Sequence, residues 1–153
     1  MARQILAGPE IEGVTFLGGE PFAQAAALGD LGSRLRQHGL SVVTFTGYEL
    51  EYLQSAARSD YAALLAVTDL LIAGPFQRER RDFSRPWVGS ANQSFHFLTP
   101  RYAHLADQLG QIPNRVEVRL HPDGRIEING LAAPEDMRAL LHASDKPRKS
   151  GYP

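Results

Sequence analysis

Three short apolar segments, each stopping at glycine, constrain the fold more than any other feature of this chain. Gly13–Leu17 runs into Gly18-Gly19, Leu40–Thr46 into Gly47, and Asp69–Ala73 into Gly74-Pro75. The first is apolar on both alternating faces, as suits a strand covered on both sides in a parallel sheet. Helical patterns lie between them. From Pro21 to His38, Phe22, Ala25, Leu28, Leu31 and Leu35 recur at three- and four-residue steps, with Pro21 in the first turn and Gly39 at the stop. Tyr48–Arg58 places Leu50 and Leu53 on one side, and Asp60–Val67 continues it or forms a second short helix. Each strand–helix–strand step takes about 30 residues, as right-handed βαβ units do.

After Phe76 the pattern breaks. Gln77–Val88 is charged and carries Pro86, which predicts a long loop. Gln93–Leu98 reads as a further strand and Pro100–Gly110 as a helix. Arg115–Leu120 and Arg125–Asn129 flank His121-Pro122-Asp123-Gly124, whose Asp-Gly is the strongest hairpin signal in the chain. Pro134–His142 is expected to be a final helix. The organisation expected is an α/β domain over 1–112, a hairpin and helix over 113–143 packed on it, and a disordered polar tail over 144–153. No repeat and no linker to a second domain is visible.

With 153 residues, the chain suits one domain that buries roughly 70% of its unfolded surface. Its net charge of −1 predicts no general attraction to nucleic acid or to anionic membranes. No apolar run approaches the roughly 18 residues of a membrane helix. The opening residues lead into no long apolar region, so a cytoplasmic location is expected. The count of zero cysteines excludes disulfides, thiolate metal sites and cysteine nucleophiles. His38, His96, His104, His121 and His142 have no metal-site spacing, and no metal ligand is assigned.

Glycines at the C-terminal end of a parallel strand let a ligand approach the backbone, and ligands in parallel α/β folds gather at that end. Glu20 is expected at the start of the following helix. There its carboxylate either accepts from an ammonium group or simply complements the helix dipole in a tight turn. Gly18-Gly19-Glu20-Pro21 after an apolar strand resembles the signature of radical S-adenosylmethionine (radical SAM) enzymes. Phe45-Thr46-Gly47-Tyr48, Asp69–Phe76 and Gly89-Ser90-Ala91-Asn92-Gln93 follow in the order seen in one branch. That branch holds the activating proteins of anaerobic ribonucleotide reductase and pyruvate formate-lyase. The resemblance covers about residues 3–98, and four motifs in order make it specific.

The resemblance implies a partial (β/α) barrel, with Gly18, Gly19, Glu20, Pro21, Thr46 and Asn92 as residues that bind S-adenosylmethionine. It implies a [4Fe-4S] cluster held by a C-x3-C-x2-C loop, reductive cleavage of the sulfonium, and a glycyl radical enzyme as partner. This chain departs from the pattern. It has no cysteine loop, so it reads as a family member lacking the first barrel strand and the cluster ligands, and inactive as this polypeptide. The alternative is a non-enzymatic binding or interaction domain on the same scaffold. Ala73 replaces an aspartate common in the branch, and Val88 a basic residue. Without a first strand, 13–17 is expected to form an exposed sheet edge covered by a second copy, by Met1–Gly8 or by a missing segment.

Other residues carry two readings each. Val42, Thr44 and Thr46 share one face and Val43 and Phe45 the other; the threonine face is expected to line a barrel interior and the aromatic face to meet helices. Thr46 contacts a cofactor or is an ordinary strand-end threonine. Asn92 and Gln93 bind a ribose or carboxylate or satisfy a loop's own backbone. Asp69 starts a strand or touches ligand. Arg78, Arg80, Arg81 and Arg85 form a solvated loop or a partner surface, and Trp87 anchors that loop or stacks on adenine. The Gly-Gly-acid-x-Phe pattern of cyclic di-GMP cyclases is set aside, because Pro21 stands where its second acid belongs and a long helix follows.

Overall fold

The computed structural model describes residues 1–109, 112, 116–130, 135 and 138. Four strands form one sheet in the order β1-β2-β3-β4: β1 (Gly13–Phe16), β2 (Ser41–Phe45), β3 (Leu70–Ala73) and β4 (Ser94–Phe97). The first three are parallel, as the glycine-terminated segments predict. β4 runs antiparallel to β3, with Leu70 opposite Phe97 and Ala73 opposite Ser94. The architecture is therefore mixed α/β with an open sheet; among the described residues no barrel closes, and β1 lies at an edge. The expected hairpin forms from β5 (Val116–Leu120) and β6 (Ile126–Gly130). The helix expected over 134–142 lies outside the described residues except Glu135 and Arg138, which are helical, and the tail 144–153 lies wholly outside them.

The sheet is accompanied by helices α1 (Ala2–Leu6), α2 (Ala25–Arg36), α3 (Leu50–Ser55) and α4 (Ser59–Val67), with short 3₁₀ turns at Pro21–Gln24, Arg78–Arg80 and Pro100–Leu105. The segment expected as one helix from Pro21 therefore begins as a 3₁₀ turn, and the one expected over Pro100–Gly110 stays 3₁₀ through Leu105. α3 is shorter than its pattern because Ala57 adopts φ 50°, a left-handed stop that separates it from α4. α2 buries Ala25, Gly29, Gly32 and Leu35. The two glycines weaken the helix by about 1 kcal/mol each relative to alanine, and close contact with α4 accounts for Gly32: a Cβ there would stand 2.8 Å from Val67 Cγ2.

Register divides the sheet into two faces. Val14, Phe16, Val42, Thr44, Leu71 and Ala73 share one, because Val14 pairs with Val42 and Thr44 with Leu71. Most of that face packs with Phe22, Ala25, Leu53, Tyr61 and Leu64 from the helices. Fully buried leucines such as Leu53 and Leu64 contribute about 1.5–3 kcal/mol each through burial. The opposite face gathers Val43, Phe45, Leu70, Ile72, Phe95 and Phe97 with Val88 and Tyr102. The expectation for β2 is thus reversed: the Val42/Thr44 face meets the helices, and the Val43/Phe45 face meets the long loop and the turn after β4. Periodicity separates two faces but does not say which one the helices cover. Thr44 is tolerated against the helices because its hydroxyl pairs with that of Thr68 at 2.9 Å, and Thr68 donates to the Leu64 carbonyl.

Asp69 ties the other end of the sheet. Its side chain is 2% exposed and accepts from the Val42 N–H, the Thr99 hydroxyl and Arg36 Nη1 at 2.9, 2.6 and 3.1 Å. The structural alternative for this residue is therefore the observed one: it lies at the start of β3, opposite the glycine-terminated strand ends.

Candidate functional site at the glycine-rich rim

The C-terminal ends of β1, β2 and β3 carry the three glycine turns. β4 contributes from its N-terminal end, because it runs the other way. This reversal explains why Asn92-Gln93 precede a strand while the other motifs follow theirs. All four motifs meet at this rim.

Glu20 is the centre of the first junction. Its extended backbone ends the β1 turn, and its Oε1 accepts from the Phe22 N–H at 2.9 Å, which caps the 3₁₀ turn. The same oxygen accepts from the Thr46 hydroxyl at 2.9 Å, and Oε2 accepts from the Gly47 N–H at 2.9 Å. One carboxylate thus fastens the first strand–helix turn to the second. Thr46 is 6% exposed, and its Oγ1 also accepts from the Tyr48 N–H at 3.1 Å. Gly18 and Gly19 adopt φ 88° and 57°, and open space surrounds the position of a Cβ on either. They are needed for the turn's left-handed backbone rather than for close packing. Pro21 is buried at the first position of the 3₁₀ turn.

The second and third turns join through the backbone. The Gly74 N–H donates to the Tyr48 carbonyl at 3.0 Å, and the Thr46 N–H to the Ile72 carbonyl at 2.9 Å. Gln93 joins the fourth motif: its Nε2 donates to the Gly74 carbonyl at 3.3 Å, while its Oε1 accepts from the Gly89 and Ser90 N–H groups at 2.8 and 3.2 Å. Asn92 Nδ2 donates to the Pro75 carbonyl at 2.8 Å. The Asn92 amide oxygen is buried without a hydrogen-bond partner among the described residues.

The structure brings Glu20 and Thr46 into direct contact, and it links Gly74 to Gln93 and Pro75 to Asn92. It does not bring Asp69 to the rim. Gln93 satisfies the loop's own backbone, the second of its two readings, and the backbone of Tyr48 is a network member that the motifs contained but to which the sequence assigns no separate role. Their part is carried by main-chain geometry, which composition does not report. An aromatic group behind the rim was also missed: Tyr61 packs edge-on against Phe22 at 5.2 Å and lies 6.4 Å from Tyr48. Arg58 stacks over Tyr61 at 4.1 Å. Burial pushes the Tyr61 phenol above its ordinary pKa, against the pull of the Arg58 charge. The Tyr/Phe identities were visible, but their spacing crosses three elements.

Away from the rim, α3 and α4 with Leu98 border an open groove of about 600 Å³ lined mainly by apolar groups such as Leu50, Leu53 and Leu65. None of the six candidate residues lines it.

A family model, that of the 4Fe-4S single cluster domain, matches residues 2–96, and the chain belongs to this iron–sulfur family. The match includes all four rim motifs. No curated protein and no solved structure matches the chain. The residues present do not fit a cysteine-ligated cluster. The sequence has no cysteine, and among the described residues no group of three or more His, Cys, Asp or Glu is placed to hold a metal ion. Among the described residues, no helix is long and apolar enough to cross a membrane.

Proposed function

We propose that this chain is a scaffold of the radical SAM type, related to the activating proteins, whose rim receives the aminoacyl end of S-adenosylmethionine and which does not itself make radicals. The observation that carries the reading is the junction of four motifs at one end of the sheet, centred on Glu20. A carboxylate offers about four acceptor directions, and three donors occupy Glu20. One direction on Oε2 is left for an ammonium hydrogen, and the carboxylate's negative charge favours that cation. The open backbone of Gly18-Gly19 gives the ligand room, and the orphan amide oxygen of Asn92 supplies a further acceptor. When bound, S-adenosylmethionine supplies an activated sulfonium; this chain's residues bind and orient its aminoacyl group. No step is assigned to an iron–sulfur cluster, since these residues supply no thiolate.

The partial-barrel reading and the glycyl radical enzyme as partner belong to the same proposal. A second copy across the β1 edge is a further part of it, supported by Leu17, which is 70% exposed just beyond that strand.

Calorimetric titration of the folded protein tests the ligand. S-adenosylmethionine is expected to bind and to be displaced by methionine. 5′-Methylthioadenosine, which lacks the aminoacyl group, is expected not to compete. Absence of binding would leave the second reading, a non-enzymatic interaction domain. That reading is favoured by the extent to which Glu20 is already satisfied within the fold.

A further inference from the structure

The loop that breaks the strand–helix alternation is braced by its own hydrogen bonds, and it presents an unusual set of groups. Its two limbs are laced together: the Asp82 N–H donates to the Gly89 carbonyl, the Ala91 N–H to the Arg80 carbonyl at 2.7 Å, and Arg81 and Ser90 form a bridge. Asp82 fixes the tip by accepting from the Ser84 N–H and hydroxyl at 2.9 and 2.6 Å. Arg85 reaches under it to the Gln93 and Ser90 carbonyls, both at 3.0 Å, and pairs with Asp82 at 3.1 Å. Arg85 is therefore a structural cation of the loop.

Trp87 stands out within this frame. Its backbone has φ 65°, a left-handed conformation that is an outlier for a bulky residue. Buried Pro86 and Val88 hold it from both sides, and its ring meets Phe95 edge-on at 6.4 Å. The indole is nonetheless 45% exposed, and Phe76 at the loop's base is 57% exposed. Arg78, Arg80 and Arg81 are exposed on the same loop, and among the described residues none of them has an ion-pair partner. Strain that exposes an apolar side chain is opposite to what packing alone selects.

We propose that Phe76–Val88 is a docking surface for an acidic segment of a protein partner, with Trp87 and Phe76 as apolar anchors and Arg78, Arg80 and Arg81 as the recognising charges. Tryptophan and arginine dominate interface hot spots. A loop whose limbs are hydrogen-bonded to each other has less conformational entropy to lose on binding than an unbraced one. Local positive charge on a chain whose net charge is −1 selects a compact acidic target rather than a long polyanion, which needs a broad basic face. The inference does not rest on S-adenosylmethionine binding at the rim.

Trp87 is the single tryptophan of the chain, so its fluorescence reads the surface directly. The full chain is titrated with short peptides of alternating Glu and Leu, of Lys and Leu, and of Gln and Leu. The Glu/Leu peptide is expected to blue-shift the emission, with binding that weakens as salt rises. The double variant Arg78→Glu, Arg81→Glu, at exposed positions, is expected to weaken it by roughly tenfold or more. Anisotropy of a labelled Glu/Leu peptide reads the variant Trp87→Gly, which relieves the backbone outlier and removes the indole; a comparable loss in a folded protein supports an anchor role. No response to the Glu/Leu peptide, an equal response to the Lys/Leu peptide, tighter binding of polyuridylate, or unchanged peptide binding in Trp87→Gly would each overturn the proposal.

Discussion

Replacing Glu20 by alanine separates a ligand-waiting carboxylate from one that holds the fold. The loss of the Phe22 N–H bond removes a cap, a change of about 1 kcal/mol. The Thr46 hydroxyl, buried at 6% exposure, loses its acceptor, which costs about 1–2 kcal/mol. The Gly47 N–H is exposed, so water replaces its partner at little cost. The expected total is about 2–3 kcal/mol, or a fall in Tm of about 4–12 °C for a domain of this size. Urea denaturation with a circular-dichroism readout measures it. Glu20→Gln keeps an oxygen for Phe22 and Thr46 but turns a donor toward Gly47, and about half the loss is expected. In a double-mutant cycle, Glu20→Ala with Thr46→Val should show coupling of about 1 kcal/mol. If Glu20→Ala lies within about 0.5 kcal/mol of the parent, or the cycle shows no coupling, the carboxylate does not fasten the two turns and the structural argument fails.

The opposite end of the sheet gives a second test. Asp69→Ala leaves the Val42 N–H and the Thr99 hydroxyl without their acceptor; a loss of about 3 kcal/mol is expected, and equilibrium unfolding checks it. Asp69→Asn should lose less, because its amide oxygen still accepts. The loop tip gives a pH test. Hydrogen bonds from Ser84, then the Arg85 guanidinium, hold the Asp82 carboxyl below its ordinary pKa. A depressed carboxyl pKa favours the folded tip above the free aspartate value of about 3.9, and that contribution fades as pH falls through the lowered value. Trp87 emission should therefore change with a midpoint below the ordinary aspartate range, and the step should vanish in Asp82→Asn.

Much of this architecture was legible because its signals are local. Gly18-Gly19, Gly47 and Gly74 mark where strands end, and the Asp123-Gly124 turn marks a hairpin. The direction of β4 was not legible. Its neighbours Phe95 and Phe97 share one face whether the strand runs parallel or antiparallel, and only the geometry of the 76–93 loop sets its sense. The side chosen by the helices was hidden for a similar reason: Thr44 reads as polar until Thr68 and the Leu64 carbonyl are seen to satisfy it. At the rim, the motif residues are readable, and the sequence allows Glu20 either an ammonium ligand or a local role in its own turn, but not a partner in the next turn. That it is engaged with Thr46 and Gly47 depends on a contact across 26 positions of chain, which no local pattern encodes.

The Glu20 clasp also bears on how such signatures are interpreted. A motif whose acid knots two turns together is maintained by the demands of folding, whatever becomes of turnover. A search keyed to Gly-Gly-Glu-Pro and its companions will therefore collect chains that build this rim whether or not they supply ligands for a cluster. Such a search sorts proteins by ancestry and shape; sorting them by chemistry requires counting the thiolates as well.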